Sequence, residues 1–332
     1  MSSYANKGLC GIANVGCTCY VNTSIVCLGY CEQFVDLMMK FKDIDRGHKN
    51  SLVYECVKIV QQLWCTNSPV LNPLSFISSL RDSIKSIEID EQNDICEFIT
   101  LFIDKLNASI AYTAEIPIVL PDRLYDFRKD YDCQSAKMDE IWFKSVYKEY
   151  SELIPLFYGQ SITQITCGSC NKIHHNYEIF SSLHLPLKKS SEHLKDCLND
   201  FFKDETLNTS DNPWTCDSCN KSVPSNKMVI LWKIPKVLIL TIKRFKDNLE
   251  KKNNIIEIPE ELDMTSHSLD LNNKNYKLVS VGCHIGSFFG GHYFALCKNK
   301  NGNWYEIDDL DVKEVKQPNL GQGYLYFYES YT

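Results

Sequence analysis

The spacing of apolar residues changes partway along this chain of 332 residues. Up to about residue 155, apolar residues recur three and four positions apart, which is the period of an amphipathic helix. Beyond that point, short runs of β-branched and aromatic residues alternate with turn residues, as is typical of strands. The pattern therefore predicts a helical N-terminal half and a strand-rich C-terminal half, which is an α+β fold.

The predicted helices span 19–32, 51–64, 93–107 and 191–205. The third has the clearest period, and Asp94 and Glu97 at its start suit a helix N-terminal cap. The predicted strands span 161–167, 175–187, 236–245, 277–285, 292–299, 304–309 and 324–330. Neither an internal repeat nor a low-complexity tract interrupts this order.

Composition and charge narrow the class of protein. Apolar residues make up 44% and charged residues 23%, as in ordinary globular proteins. A net charge of -7 argues against a broad nucleic-acid surface and suits a basic or neutral protein partner, although it also serves solubility. No apolar run reaches the roughly 20 residues that a membrane helix needs, and the N-terminus lacks a secretory pattern. We therefore expect neither a nucleic-acid nor a membrane partner.

The chain contains 16 cysteines, four of them within "NVGCTCYVNTSIVCLGYC" (14–31). A disulfide ladder, a metal site, a buried wall or a nucleophile could account for this crowding. For a chain of this size without a secretory leader, reduced thiols, metal ligands or a catalytic cysteine are favoured over disulfides. We expect an intracellular, reducing compartment.

Two CxxC pairs, Cys167 with Cys170 and Cys216 with Cys219, are separated by 45 residues. A two-residue gap lets a tight turn aim both sulfurs at one point, so two such turns supply four thiolates to a tetrahedral zinc. The pairs follow strand-like runs and lie in polar turns. The sequence predicts one structural zinc per chain over the alternatives, a redox pair or cysteines without metal.

A histidine and an acid near the C-terminus suit nucleophilic catalysis. His292 follows two glycines and begins a predicted strand, and Asp308 ends the next strand 16 residues later. Antiparallel pairing would place them side by side, so that the carboxylate orients the imidazole. The alternative is a histidine whose bonds are satisfied within its strand. His284 has no downstream acid at hairpin distance, so we interpret it as a loop or pocket residue.

Cys19 occupies the junction between a loop and a predicted helix, where backbone N–H groups and the helix dipole favour a thiolate. Cys17 precedes the helix N-terminus by two residues. Cys27 and Cys31 fall within the helix, where core packing accounts for them. Asn14 is close enough in sequence to donate to an oxyanion, but an Asx turn explains it equally well.

These residues together resemble the ubiquitin-specific protease family of papain-like deubiquitinases. "GIANVGCTCYVNTSIVCL" is similar to the family's cysteine box, and "GGHYFALCKNKNGNWYEIDD" is similar to its histidine box. The resemblance implies that Cys19 is the nucleophile, Asn14 the oxyanion donor and His292 the base. It also implies that Asp308 orients the histidine and that Asp309 is a second, supporting acid.

The resemblance extends over nearly the whole chain. "EQNDICEFITLFIDKL" (91–106) is similar to the family segment in which the acid, here Asp94, helps to hold the ubiquitin tail. The family's substrate ends in Gly-Gly, which implies a narrow channel at Gly290 and Gly291, with His284 as a pocket residue. The sequence departs from the family pattern at Cys17, Val21, Thr23 and Asn93.

The resemblance implies a papain-like cysteine protease fold with a helical thumb, a β-sheet palm and zinc-ribbon fingers. We expect one catalytic domain over 1–332, mainly thumb in 1–155, fingers in 156–235 and palm in 236–332, without an appended targeting domain. The expected reaction is thiol-dependent hydrolysis at the C-terminal glycine of ubiquitin on conjugated proteins or polyubiquitin chains.

The expected partners are ubiquitin and ubiquitinated proteins, bound by a monomer that carries one structural Zn²⁺. The expected location is the cytoplasm or nucleus, of a host cell if the chain is viral or parasitic. Three alternatives remain open: a pseudo-protease that holds ubiquitin without cutting it, a zinc-ribbon redox or nucleic-acid module, and a protease for a ubiquitin-like modifier.

Overall fold

The computed structural model describes most of the chain. The described residues are 7–42, 51–65, 69–114, 130–207, 213–245, 249–270 and 274–331. The two ends of the predicted domain, 1–6 and 332, lie outside them. Helices dominate the N-terminal half of the described chain and strands the C-terminal half, which confirms the predicted α+β class.

The helices are α1 (Cys19–Gly29), α2 (Glu32–Lys40), α3 (Ser51–Cys65), α4 (Leu74–Ser83), α5 (Ile95–Ile110), α6 (Asp130–Val146), α7 (Leu153–Phe157) and α8 (Leu194–Phe202). The predicted start of α5 is confirmed, because Asp94 is its N-cap and accepts from the backbone N–H groups of Cys96 and Glu97 at 2.7 and 3.2 Å. None of the helices in the described ranges combines the length and apolarity that crossing a membrane requires.

A large, mostly antiparallel sheet forms the centre of the C-terminal half. Its strands are β5 (Leu183–Pro186), β8 (Val237–Lys243), β9 (Glu261–Asp263), β10 (Asn275–Ser287), β11 (Gly290–Lys298), β12 (Trp304–Asp308), β13 (Asp311–Val315) and β14 (Leu325–Ser330). The order across the sheet is β13-β12-β11-β10-β14-β8-β5, with β9 beside β10. β5 pairs with β8 in parallel.

A second sheet carries the cysteine pairs. Its strands, β3 (Gly159–Cys167), β4 (Ile173–Phe180), β6 (Glu205–Leu207) and β7 (Ser225–Lys233), lie in the order β4-β3-β7-β6. The predicted single strand 175–187 is wrong, because the chain leaves this sheet after Phe180 and enters the large sheet at Leu183. The run of strand-forming residues gave no signal of that exchange. A short parallel pair, β1 (Gly11–Ile12) and β2 (Val70–Leu71), completes the strands in the described ranges.

Helix α1 lies at the centre of the molecule and packs on β11 and β10. All its residues are buried, so it has no solvent face. The large sheet is covered on both sides, as β8 illustrates: Val237 and Ile239 join the apolar cluster beneath the helices, whereas Leu238 and Leu240 join the cluster beneath α8. This packing fixes the N-terminus of α1 against the start of β11.

Candidate active site

The sulfur of Cys19 lies where α1 begins. Cys19 is 5% exposed, and the backbone N–H groups of Tyr293, Tyr20 and Cys19 itself act to lower the pKa of its thiol. Tyr293, which follows His292 at the start of β11, lines the same cavity as Cys19. Burial nevertheless raises the pKa of Cys19 above its ordinary value and outweighs these N–H groups. The predicted thiolate is therefore disfavoured in the resting site, because desolvation exceeds the stabilisation at the helix start.

His292 and Asp308 lie side by side on neighbouring strands. The β11–β12 hairpin pairs Ala295 with Ile307, and His292 Nε2 is 2.5 Å from Asp308 Oδ1. Because the carboxylate engages Nε2, the other ring nitrogen, Nδ1, remains to take a proton from a thiol. The sequence-based expectation that the hairpin would bring this pair together is confirmed, while their catalytic roles stay predictions.

Asp309 lies in the turn between β12 and β13 and is hydrogen-bonded both to the loop before Cys19 and to α1. Its Oδ2 accepts from Asn14 Nδ2 and its Oδ1 accepts from Asn22 Nδ2, each at 2.8 Å. Its backbone is in the left-handed region, with φ at 48°, and its carbonyl accepts from the Ile12 N–H at 2.7 Å. Asp309 thus braces the elements that carry Cys19. Sequence reasoning missed Asn22, although it lies inside the cysteine box.

Asn14 forms the loop bonds that one of its two sequence-based alternatives predicts, while its role as an oxyanion donor stays a prediction. Its Oδ1 accepts from the backbone N–H and the hydroxyl of Thr18, at 3.2 and 3.1 Å, which braces the loop as an Asx turn would. Its Nδ2 binds Asp309, but a primary amide has a second hydrogen, and the residue is exposed. That second N–H can serve an oxyanion.

A cavity of about 320 Å³ opens beside Cys19. Its walls are the segment that leads into α5 and the β10–β11 loop; the lining residues are Cys19, Tyr20, Gln92, Asn93, Asp94, Glu97, Phe245, His284, Ser287, Phe288, Phe289, Gly290, Gly291 and Tyr293. All four predicted substrate-binding residues lie in this lining. Phe288 and Phe289 are 53% and 82% exposed, so the loop presents an aromatic rim.

Asp94 is largely occupied by its structural bonds. Besides capping α5 through Oδ1, it accepts a hydrogen bond at Oδ2 from the hydroxyl of Tyr324 at 2.7 Å. Asp94 therefore links the N-terminus of α5 to Tyr324, the residue before β14, and it also lines the cavity. Sequence reasoning missed Tyr324, because nothing in its local pattern marks it as a partner of Asp94.

The space beside the two glycines is filled by side chains of this chain. A Cβ on Gly290 would lie 2.9 Å from Gln92 Oε1, and one on Gly291 would lie 2.3 Å from both His284 Nε2 and the carbonyl of Ile285. Gln92 also binds both backbone groups of Gly291: its Nε2 donates to the carbonyl and its Oε1 accepts from the N–H, each at 3.2 Å. Glycine is required here by close packing within the protein. Gln92 was missed, although it lies in the family-like segment.

His284 lies in β10, directly opposite Tyr293. The two ring centroids are 4.6 Å apart. Burial, followed by the charge of Lys251, lowers the pKa of His284 to about 4. The residue is therefore a neutral pocket histidine within a strand, whereas His292 at the same end of the sheet is paired with an acid.

The four cysteines of the two CxxC pairs converge at the end of the second sheet. Their sulfurs all lie within 4.8 Å of one another, with Cys167 3.8 Å from Cys219 and Cys170 3.7 Å from Cys216. Four thiolates bound at about 2.3 Å to a tetrahedral zinc are about 3.8 Å apart, so the spacing fits that ion. Backbone N–H groups of Cys170 and Ser169 lower the pKa of Cys167, whereas desolvation raises the pKa of Cys219, so Cys167 ionises before Cys219.

The two CxxC turns have the same backbone form. In each, the residue after the second cysteine has a left-handed φ, 57° at Asn171 and 52° at Asn220, and its N–H donates to the carbonyl of the first cysteine. The repeated turn explains how distant sequence segments aim their sulfurs at one point. His174 Nε2 lies 3.3 Å from Cys216 Sγ, so the site has a polar neighbour as well.

A family model described as "Ubiquitin carboxyl-terminal hydrolase" matches residues 10–328. Among curated proteins, the chain is 28% identical over 344 residues to ubiquitin carboxyl-terminal hydrolase Usp2 of Drosophila melanogaster, covering 98% of this chain and 35% of that one. It is 29% identical over 347 residues to ubiquitin carboxyl-terminal hydrolase 2 of Rattus norvegicus, covering 99% and 55%. The chain thus spans about a third to just over half of the length of these relatives.

Solved structures give the same fold. The yeast SAGA DUB module with an Sgf73 mutant matches with a TM-score of 0.75 at 25% identity, covering 99% of this chain and 70% of that one. The SAGA Ubp8/Sgf11/Sus1/Sgf73 DUB module bound to ubiquitin aldehyde matches with a TM-score of 0.73 at 22% identity, covering 99% and 71%. The papain-like architecture expected from the sequence is thereby confirmed.

Proposed function

Because this chain belongs to the ubiquitin carboxyl-terminal hydrolase family, we propose that it is a thiol-dependent deubiquitinase. It hydrolyses the isopeptide or peptide bond that follows the C-terminal glycine of ubiquitin on conjugated proteins or polyubiquitin chains. The observation that carries this proposal is the pairing of His292 with Asp308 next to Tyr293, the residue whose backbone N–H acts on the Cys19 thiol.

The reaction begins with a neutral thiol. His292 Nδ1 takes the proton of Cys19, and Asp308 at Nε2 stabilises the imidazolium that results. The sulfur attacks the carbonyl carbon of the terminal glycine, and the second N–H of Asn14 together with backbone N–H groups stabilises the oxyanion. The imidazolium protonates the leaving lysine amine as the C–N bond breaks, which leaves a thioester on Cys19.

Water completes the cycle. His292 takes a proton from the water as its oxygen attacks the thioester, and the sulfur leaves with the proton that His292 returns. The products are free ubiquitin with a carboxylate terminus and the regenerated thiol. The hydrogen bonds from Asn14 and Asn22 to Asp309 hold the loop before Cys19 and the turn that carries Asp308 in the same relative position through both steps.

A ubiquitin probe with a C-terminal electrophile tests the proposal directly. We expect it to form a covalent adduct that peptide mapping assigns to Cys19, and we expect Cys19→Ala to abolish both the adduct and hydrolysis of a ubiquitin reporter. Exposed Cys17 serves as the matched control, since Cys17→Ser should retain both. An adduct on Cys17, or a reporter rate unchanged in Cys19→Ala, would overturn the assignment of the nucleophile.

The same assays distinguish two alternative functions from the proposed one. A pseudo-protease would bind ubiquitin without a turnover that depends on Cys19, whereas the intact set of Cys19, His292, Asp308 and Asn14 favours an enzyme. A protease for a ubiquitin-like modifier would react with that modifier's probe in preference to the ubiquitin probe. We propose ubiquitin as the modifier, because the structural neighbours include a module bound to ubiquitin aldehyde.

We propose that Cys167, Cys170, Cys216 and Cys219 hold one structural Zn²⁺. Four sulfur ligands leave no open position for water, so the ion contributes fold stability at the end of the second sheet and takes no part in the chemistry. We also propose an intracellular location in the cytoplasm or nucleus, because reducing conditions there keep a thiol nucleophile and thiolate ligands from forming disulfides. A monomer is the proposed state, and light scattering of the purified chain measures it.

A further inference from the structure

Three acceptors surround the ammonium group of Lys251. Its Nζ lies 3.2 Å from His284 Nδ1, 2.6 Å from the backbone oxygen of His284 and 3.5 Å from that of Gly286. An ammonium group has three hydrogens and no acceptor, so each of these atoms must accept from it. His284 Nδ1 consequently carries no proton.

The ring of His284 is neutral, because its burial and the adjacent Lys251 oppose a second proton. The other charged groups that act on it are Asp94, which favours protonation, and His292, which opposes it. A neutral imidazole keeps one proton, and since Nδ1 accepts from Lys251, that proton is on Nε2. His284 is therefore the Nε2–H tautomer.

His284 Nε2 lies beside Gly291, and both residues line the cavity that reaches Cys19. A Cβ on Gly291 would lie 2.3 Å from Nε2, so the nitrogen fills the space that this glycine leaves. Gly291 and Tyr293 share the sheet face of His284, because residues two apart on a strand point the same way. Within the described part of the chain, no group accepts a hydrogen bond from Nε2.

The loop that carries Lys251 is anchored from both sides. Lys251 forms an antiparallel bridge with Phe245, and the N–H of Lys252 donates to the Arg244 carbonyl at 2.6 Å. The buried guanidinium of Arg244 donates in turn to the carbonyl of Asn254 at 2.8 Å. These contacts hold the backbone that carries Lys251 in place, so its side chain extends toward His284 from a fixed position.

We propose that Lys251 is a positioning residue: it fixes His284 as the Nε2–H tautomer, and this N–H binds a backbone carbonyl of the ubiquitin tail where the tail passes Gly291. The inference rests on the proposed deubiquitinase function and adds a contact to it. An extended glycine tail brings no side chain to this point, so its carbonyl oxygens are the acceptors that it offers. The other tautomer would present a lone pair and repel them.

The tautomer is measured in the protein without substrate. In ¹⁵N-histidine-labelled chain, we expect the two ring nitrogens of His284 to show the Nε2–H pattern in the wild type and in Lys251→Arg, which keeps the donors. Lys251→Met removes the donors and should give a mixture of tautomers. Lys252→Met is the matched control, since that ammonium donates to the Leu187 carbonyl instead and should leave the His284 signals unchanged.

Kinetics with a ubiquitin C-terminal reporter test the contact. Loss of one oriented hydrogen bond to the tail should raise KM about tenfold in Lys251→Met with kcat little changed, because the bond forms in both ground and transition states. His284→Phe keeps a ring but loses the donor, so its KM should match that of Lys251→Met. His284→Gln keeps an N–H near the Nε2 position and should restore most of the affinity.

Two results would overturn the proposal: an Nδ1–H tautomer in the wild type, or a KM for Lys251→Met equal to that of Lys252→Met despite mixed tautomers. Failure of the proposed function would be seen separately. If the wild type did not hydrolyse the reporter, the tail contact would fall with the deubiquitinase activity, while the nitrogen spectra would still decide what Lys251 does to His284.

Discussion

The side-chain amide of Gln92 pairs with both backbone polar groups of Gly291, at 3.2 Å in each direction. A neighbouring strand would make the same two bonds with Gly291, so the Gln92 side chain replaces a strand partner at the start of β11. The pair joins the segment before α5 to the start of β11, beside Cys19. It therefore ties the two walls of the cavity together.

Breaking this tie should weaken catalysis. We expect Gln92→Ala to lower kcat/KM for a ubiquitin reporter by about 3- to 10-fold, since it removes two neutral hydrogen bonds. Gln92→Glu should lose more, because a carboxylate would face the Gly291 carbonyl. Amide hydrogen exchange at Gly291 should rise in both variants, and unchanged exchange would contradict the tie.

The same side chain makes a testable claim about Gly290. Its missing Cβ leaves the space that Gln92 Oε1 occupies, 2.9 Å away. Gly290→Ala should therefore reduce activity, and Gln92→Ala in the same chain should recover part of the loss, because the clash is with a flexible side chain. A double-mutant cycle on kcat/KM measures the coupling. Purely additive losses would show that the glycine serves another purpose.

Asn22 should matter for both stability and turnover. Asn22→Ala leaves one oxygen of Asp309 without its 2.8 Å donor in a part-buried position. Leaving such an acceptor unpaired costs on the order of 1–3 kcal/mol, so denaturant unfolding should show that decrease. We also expect a fall in kcat, because the variant loses the hydrogen bond that joins α1 to the turn between β12 and β13. Asn22→Asp, which places two carboxylates together, should be worse than alanine.

His292 and His284 should differ sharply as variants. His292→Ala removes the base bonded to Asp308, so trapping by the electrophilic ubiquitin probe should slow by about 100-fold or more. His284→Ala removes a binding donor and should slow it by about tenfold. Stopped-time gel assays with subsaturating probe compare the two. Equal losses would leave the base unassigned.

The raised pKa of Cys19 predicts how its alkylation depends on pH. A thiol whose pKa lies above its ordinary value stays protonated through neutral pH, so its reaction with iodoacetamide should keep rising beyond about pH 8. Measurement needs a Cys17→Ser background, because Cys17 is exposed and close in sequence. A rate that levelled off below about pH 7 would instead show a stable thiolate in the resting enzyme.

Removal of the zinc should destabilise the second sheet. We expect elemental analysis to find about one zinc per chain, and Cys216→Ser or a strong chelator to remove it and lower the melting temperature. The exposed Cys17 again provides the control, because Cys17→Ser should keep the metal. Metal-free protein with an unchanged melting temperature would refute the structural role.

Local patterns were enough to predict the features that neighbours in sequence create. The periods of apolar residues predicted the helix-then-strand order, and the Asp94 cap followed from the start of α5. The hairpin geometry of β11 and β12 brought His292 to Asp308, since only 16 residues separate them. The paired CxxC turns likewise indicated a four-sulfur cluster, because each turn sets its own two sulfurs.

Contacts between distant elements could not be predicted in this way. Gln92 and Gly291 are 199 residues apart, and Asn22 and Asp309 are 287 apart. Whether such groups meet depends on how the helices dock on the large sheet, and an amide can pair with many groups that its own segment does not specify. The same holds for Lys251, whose loop is positioned by the buried Arg244.

The sequence by itself thus determined the residue chemistry available and the local elements that carry it. Only the tertiary structure decided which polar groups became partners, that the run 175–187 divides between two sheets, and that burial raises the pKa of the Cys19 thiol. The physical reason is that periodicity and turns act over a few residues, whereas desolvation and hydrogen-bond pairing depend on everything packed around a group.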